Sequence, residues 1–315
     1  MLLGMDIGGT QIKAATVDET GAIAQSLRAD TPASLDEFRQ TVLQLIRELS
    51  SFGAPLRAIG IGCKGIINPE TTRVEVLPGT LHYLEGQVLS DIVAPALPAD
   101  AVVAADNDAR VALAGEITWG AARQRRNVVM LTLGTGVGGG VVADGRILRG
   151  ASGVAGHLGH LNVDPDGVLC ICGNRGCLET VFSARAIESE AFAAIHRGVE
   201  SRLLAWNTKP PTCAEVFDLA QQGDAVAGDI IRKAIHVLAA AVAGLIFVFD
   251  PEIVILGGQI SEAGDTLLRP VRAEVRARTQ SYLRREIPVV CSTLVDPSGV
   301  IGAAALALEA GRRQA

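Results

Sequence analysis

The chain has 315 residues, of which 49% are hydrophobic and 20% charged, with a formal net charge of −6. That length and apolar content suit two ordinary domains with sizeable cores and exclude a disordered chain. The acidic balance gives no reason to expect nucleic acid or an anionic membrane as a partner.

Leu2 to Ile7 reads as a buried strand, Gly8-Gly9-Thr10 as a tight turn and Ile12 to Val17 as a returning strand. The first residues carry no basic cluster and reach Asp6 almost at once, so no signal peptide is expected. Backbone N–H groups at a glycine bend form a nest suited to phosphate oxygens, and Asp6 at the strand end is suited to hold Mg²⁺ through water. A plain β-turn is the other reading of this hairpin taken alone.

Leu35 to Leu49 has helical spacing, with an apolar face through Phe38, Val42, Leu45, Ile46 and Leu49, and follows a capping-box pattern of Ser34 and Glu37. Ala58 to Gly62 and Ala101 to Ala105 read as short parallel strands, apolar on both faces. Asp106-Asn107-Asp108 then ends a strand and starts a helix, where open α/β sheets place their ligands. Phosphoryl transfer to a sugar needs a base and a group that orients the sugar. Asp108 is read as that base and Asn107 as the orienting amide. Simple helix capping is the competing role, and Asp106 fits it better than Asp108.

Val128 to Leu133, the run Gly134-Thr135-Gly136-Val137-Gly138-Gly139-Gly140, and Val141 to Ala143 repeat the strand–turn–strand device. Two such hairpins facing each other would grip a polyphosphate from both sides. Next comes Gly156-His157-Leu158-Gly159-His160, and then Cys170, Cys172 and Cys177 within eight residues. His160 with the three thiols supplies a tetrahedral zinc set with no open position, so the site reads as structural. Three core thiols and an unrelated histidine are the plain alternative. Cys63, Cys213 and Cys291 are scattered in apolar segments and read as core thiols.

Asp224 to Phe249 reads as a long helix buried at its end, its apolar run shorter than the roughly 20 residues of a bilayer span. Gly257-Gly258 follows the strand Ile253 to Leu256, precedes a helix from Ser261, and is a plausible seat for a nucleoside. The last helix, about Val300 to Leu308, is expected to pack back on the first domain. Strands alternating with helices give an α/β chain.

Asp6-Ile7-Gly8-Gly9-Thr10, Asn107-Asp108-Ala109, the Gly134–Gly140 run and the His160/Cys170/Cys172/Cys177/Glu179 spacing together resemble the ROK family (repressors, open reading frames, kinases), a branch of the actin-like sugar kinases. The resemblance runs along nearly the whole chain. It implies two ribonuclease-H-like domains flanking a cleft, with a structural zinc loop at 157–179. The domains would be 1–115, with a C-terminal helix 300–312 packing back, and 116–299. It implies ATP-dependent phosphorylation of a hexose on its 6-hydroxyl, glucose first, with ATP, Mg²⁺ and structural Zn²⁺ as cofactors. Asp108 would be the base, and Asn107, His157, His160, Glu179 and Gly65 would meet the sugar. Asp6, Gly8, Gly9, Thr10, Lys13, Gly134, Thr135, Gly136, Gly257 and Gly258 would meet the nucleotide and its metal. A cytoplasmic homodimer or larger assembly is expected, without nucleic acid or membrane.

Two departures concern the sugar. The family motif carries Glu where this chain has His157, and a neutral imidazole donates a hydrogen bond where a carboxylate only accepts. Gly62-Cys63-Lys64-Gly65 and Pro78-Gly79-Thr80-Leu81-His82-Tyr83 stand where relatives line the sugar, and Lys64 and His82 reach it or are plain surface. The alternatives kept open are an N-acetylmannosamine, N-acetylglucosamine or other hexose kinase, and a non-catalytic sugar-binding protein or sugar-sensing regulator. The regulators carry a helix-turn-helix ahead of the first glycine turn, which here begins near residue 6.

Overall fold

The computed structural model describes residues 1–51, 56–79, 81–206, 208–294 and 298–314; Thr80 lies outside the described residues. The chain divides into two compact units. One holds Met1–Gln124, Ile147–Gly156 and Thr293–Ala315, and the other Arg125–Arg146 and His157–Ser292. The division therefore falls at Gln124/Arg125, later than residue 115, and the segments 147–156 and 293–299 belong to the first unit.

The first unit contains β1 (Leu2–Ile7), β2 (Gln11–Val17), β3 (Ile23–Asp30), α1 (Leu35–Ser50), β4 (Ala58–Cys63), β5 (Ile66–Ile67), β6 (Val74–Val76), α2 (Leu89–Val93), β7 (Val102–Asn107) and α3 (Asp108–Thr118). Its main sheet runs β3-β2-β1-β4-β7. β1 to β3 form an antiparallel meander, while β4 and β7 join in parallel. Parallel strands need both faces covered, which is why β4 is buried at all six positions. Ser34 caps α1 by accepting from the Glu37 N–H, and Phe38, Val42, Leu45, Ile46 and Leu49 enter the core.

The second unit contains β8 (Val128–Leu133), β9 (Val137–Ala143), β10 (Arg146–Ile147, its last residue counted with the first unit), α4 (Ala184–His196), α5 (Cys213–Gln221), α6 (Ala225–Phe249), β11 (Ile253–Gly257), α7 (Asp265–Thr279) and β12 (Val289–Cys291). Its sheet order, β10-β9-β8-β11-β12, repeats the first unit's pattern of antiparallel strands followed by parallel ones. The turn expected over Gly134–Gly140 is shorter than the glycine run suggests. β9 starts at Val137, and Gly138, Gly139 and Gly140 pair with Thr132, Leu131 and Met130. Gly139 serves close packing, since a Cβ there would meet the Leu158 side chain at 2.8 Å.

α6 is long and apolar enough to cross a membrane, yet 61% of its most apolar window is buried inside the protein. Its end is not buried as expected: Phe247 and Val248 are 49% and 71% exposed. The segment after Gly258 is first a 3₁₀ turn, Gln259–Ala263, and α7 begins only at Asp265.

The chain returns to the first unit as α8 (Ser298–Gln314), which packs on β1, β4 and α3. Gly4 and Gly60 are register partners on β1 and β4. A Cβ on Gly4 would fall 1.9 Å from the Val300 carbonyl oxygen, and one on Gly60 would fall 1.8 Å from that of Ala303. Only glycine lets the helix lie this close.

Candidate active site

In the first unit the hairpin between β1 and β2 is closed by the Gly8 N–H, which donates to the Gln11 carbonyl at 3.0 Å. Thr31 braces it, its hydroxyl donating to the Gly8 carbonyl at 2.8 Å. Gly9 and Thr10 are exposed at the tip. Asp6 stands at the base of this turn opposite Lys13, its register partner on β2. Burial, then the neighbouring Asp108 charge, push the Asp6 carboxyl up to about 6, against the pull of Lys13. A Cβ on Gly299, in the first turn of α8, would meet its Oδ2 at 2.4 Å.

Asp108 opens α3, and solvent reaches its side chain. The surrounding protein still desolvates it enough to raise its carboxyl above the ordinary range, opposed by the Ala109 N–H at 2.9 Å and the charge of Lys64. Two neighbouring carboxyls held above their usual range are a natural seat for a divalent cation, which would relieve both.

The helix cap is Asn107, and Asp106 does not take that role. The Asn107 Oδ1 accepts from the Ala109 and Arg110 N–H groups, and its Nδ2 donates to the Gly65 carbonyl at 3.0 Å. That leaves one amide N–H to face a ligand. Asp106, 1% exposed, turns inward to Arg110 and Arg149 at 2.7 and 2.8 Å. Sequence reasoning missed both arginines.

Gly65 has φ +94, and a Cβ there would strike the Val76 carbonyl at 2.2 Å. Beside it Lys64 donates to the Pro78 carbonyl at 3.1 Å. Cys63 is fully buried, and desolvation with the nearby carboxylates keeps its thiol protonated. His82 lies exposed in a 3₁₀ turn.

In the second unit the Gly134 N–H donates to the Gly136 carbonyl at 3.0 Å, and the Gly134 carbonyl accepts from Ala184 at the start of α4. Thr135 is exposed at this turn. Glu179 reaches it from the cysteine loop, its Oε2 accepting the Val137 N–H at 2.9 Å. Gly258 (φ +80) sits against the main chain of Leu133, so the end of β11 adjoins the start of the same turn. A cavity of about 620 Å³ opens beside Thr135 and Glu179, lined also by Ser183, Arg185 and Lys233. None of those last three was legible as a site residue.

The ligand atoms of His160, Cys170, Cys172 and Cys177 all lie within 4.8 Å of one another. Zn–S bonds of about 2.3 Å and a Zn–N bond of about 2.0 Å imply tetrahedral S···S edges of roughly 3.8 Å and N···S edges of roughly 3.5 Å. Cys172 and Cys177 are 3.6 Å apart at sulfur, and the Cys170 sulfur is 3.6 Å from His160 Nδ1. The donor set therefore fits zinc. With Nδ1 toward the cluster, Nε2 is the nitrogen left to face outward. His157 stacks on His160, with ring centroids 6.3 Å apart and planes 8° from parallel.

The family model for ROK proteins matches residues 2–310. A glucokinase from Thermotoga maritima is 36% identical, covering 98% of this chain and 97% of its own length. An N-acetylmannosamine kinase from Yersinia pseudotuberculosis is also 36% identical, with 96% of each chain covered. The crystal structure of a ROK family glucokinase from Streptomyces griseus, in complex with glucose and AMPPNP, is 32% identical. It superposes with a TM-score of 0.83 over 98% of this chain and 99% of that one. On the family match and these full-length likenesses, the chain belongs to the ROK family.

Proposed function

We propose that this protein transfers the γ-phosphoryl group of ATP to the 6-hydroxyl of a hexose, with glucose as its first substrate. The observation that carries the reading is the Asp6–Asp108 pair: two neighbouring raised carboxyls, one beneath a glycine turn and one at the first residue of a helix. The likeness to a glucokinase at 36% identity over nearly the full length supports it.

In this reading the first unit supplies the base. Asp108 takes the proton of the sugar hydroxyl as that oxygen attacks phosphorus, and a carboxyl raised toward neutrality is better matched to that task than an ordinary one. Asn107 donates its remaining amide N–H to the sugar, and Gly65 lines it. Gly9 and Thr10, at the tip of the turn that the Gly8 N–H closes, present N–H groups to the phosphates, with Lys13 beside Asp6. Asp6 would hold Mg²⁺ through water, and that ion would neutralise the charge developing on the phosphates.

The second unit carries the remaining residues of this reading. Thr135 and Gly136, in the turn that the Gly134 N–H closes, supply phosphate N–H groups, and Gly257-Gly258 with the 620 Å³ cavity seat the nucleoside. Glu179, His160 and His157 meet sugar hydroxyls. Structural zinc on Nδ1 of His160 would leave the proton on Nε2 and make that histidine a fixed donor. The two units are read as the ribonuclease-H-like halves of an actin-like kinase, in a cytoplasmic homodimer or larger assembly.

An N-acetylmannosamine kinase is the second reading, favoured by the equal identity to that relative and by His157, which offers a donor where the family carboxylate only accepts. ADP release measured over glucose, mannose, N-acetylglucosamine, N-acetylmannosamine, allose and fructose tests both. Glucose should give the largest kcat/KM, with glucose 6-phosphate as product. Failure of all six sugars to raise ADP release above background would overturn the kinase reading.

A further inference from the structure

Arg110 is the largest fully buried side chain among the described residues. It lies in the first turn of α3, two residues after Asp108, and its side chain is 1% exposed. Its Nε donates to Asp106 at 2.7 Å, and its Nη1 donates to the carbonyls of Gly153 and Ala155 at 2.8 and 3.0 Å. Its Nη2 is buried with no hydrogen-bond partner among the described residues. Arg149, 25% exposed, donates to the other oxygen of Asp106 at 2.8 Å. One buried carboxylate thus serves two guanidinium groups that come from segments far apart in the chain.

Such a cluster is an inefficient way to gain stability. Desolvating the charges offsets most of their attraction, and apolar residues of the same volume often do as well or better. An orphaned amino group makes the balance worse. What the cluster does supply is geometry, because a planar fork bonded on two edges fixes distance and angle together.

One of the segments it joins, the turn carrying Asn107 and Asp108, is read as facing the sugar. The strap from Arg149 to Ala155 is closed on itself by the Ala155 N–H to the Arg149 carbonyl, at 3.2 Å. It lies on β5: a Cβ on Gly153 would touch Ile66 and the Ile67 carbonyl at 3.4 Å. β5 follows Gly65, whose carbonyl receives Asn107 Nδ2. Base turn, Gly65 turn and strap form a closed ring of contacts with Arg110 at its centre, and the strap leads directly into His157.

We propose that Arg110, with Asp106 and Arg149, is a positioning residue for sugar binding: it clamps the strap Arg149–Ala155 to the turn that carries Asn107 and Asp108. It touches no reactant. The proposal rests on the reading of Asp108 and Gly65 as sugar-facing.

The test removes the two fully buried charges together, and leaves only Arg149, 25% exposed, without its partner. The double variant Asp106→Leu/Arg110→Met should fold, because its side chains replace a buried pair with similar volume. Its sugar kcat/KM should fall about a hundredfold, mostly through KM, with KM for ATP unchanged. Amides 150–156 should lose hydrogen-exchange protection while those of β1 and β4 keep theirs. Wild-type sugar kinetics in the folded variant would overturn the proposal, and so would equal losses for sugar and ATP. Should the double variant not fold, Arg149→Gln decides the matter. It keeps the Asp106–Arg110 pair, and it should raise sugar KM several-fold and loosen the same amides. Exchange of the strap is read without turnover, so a wild-type protein inactive on every hexose would sink the sugar reading while the clamp is still judged.

Discussion

Glu179 Oε2 accepts the main-chain N–H of Val137 at 2.9 Å, so the side chain that ends the cysteine loop is bonded to the strand leaving the Gly134–Gly136 turn. Gly136 makes this possible, since a Cβ there would lie 2.3 Å from that same oxygen. The backbone of Gly136 is not left-handed, so alanine is excluded by Glu179 and by nothing else nearby. Gly136→Ala should therefore leave the fold intact and lower kcat/KM by roughly 10- to 100-fold through displacement of Glu179. The pair should be non-additive: with Glu179→Ala already present, adding Gly136→Ala should have little further effect. A double-mutant cycle on purified enzymes measures this, and full additivity would contradict it.

Asp108→Asn removes the proposed proton acceptor but keeps the shape and the bond from the Ala109 N–H. Phosphorylation should drop by about 10²–10⁴-fold with sugar affinity little changed, because general-base assistance acts in the transition state. In the wild type, kcat/KM for sugar should fall on acidification along a limb displaced above the ordinary carboxylate range, since both raised carboxyls must lose their protons. The limb belongs to the Asp6–Asp108 pair and not to either residue. An Asp108→Asn enzyme retaining more than a few per cent of activity would remove Asp108 from the mechanism.

Local patterns made much of this legible. The α1 stripe Phe38, Val42, Leu45, Ile46 and Leu49 is buried as its spacing requires. The four candidate metal donors meet because histidine and cysteines lie within one short, glycine-rich loop. Long-range satisfaction was not legible. A single arginine inside a helix reads as a solvated face, and nothing near position 110 announces carbonyl partners 43 and 45 residues later. The same holds for the run Gly138–Gly140, read as turn. Those glycines belong to a strand, and the packing of Leu158 against Gly139 is something no local pattern encodes. Asn107 took the cap from Asp106 for a related reason, because Asp106 was claimed by two arginines.

Asp6 makes a signed prediction about stability. Its carboxyl titrates at about 6 in the folded protein against an ordinary 3.8, so between those values the folded state keeps a proton that the unfolded chain has lost. Stability from this group is therefore full below about pH 4, falls as pH rises through 6, and stays low above. Asp6→Asn removes the penalty. Without Mg²⁺ it should stabilise the protein by about 1–3 kcal/mol at pH 8 and by almost nothing at pH 4, while abolishing phosphoryl transfer. Urea unfolding of both proteins at the two pH values measures it, and a pH-independent difference would show that the carboxyl is not raised.

In the proposed reading the cysteine cluster would couple a bound metal to the sugar site through Glu179, which follows Cys177 by two residues and accepts the Val137 N–H. Zinc should be present at about one equivalent per chain, because the four donors close a tetrahedron and leave no open position. Chelation should abolish sugar phosphorylation and raise hydrogen exchange over 157–179, as metal binding is linked to local folding. It should also loosen the amides of Thr135 to Val137, a turn that holds no metal ligand. Cys172→Ser, at the exposed thiol of the set, should reproduce all three effects. Active protein without zinc, or chelated protein whose glycine turn stays protected, would break the link between the two loops.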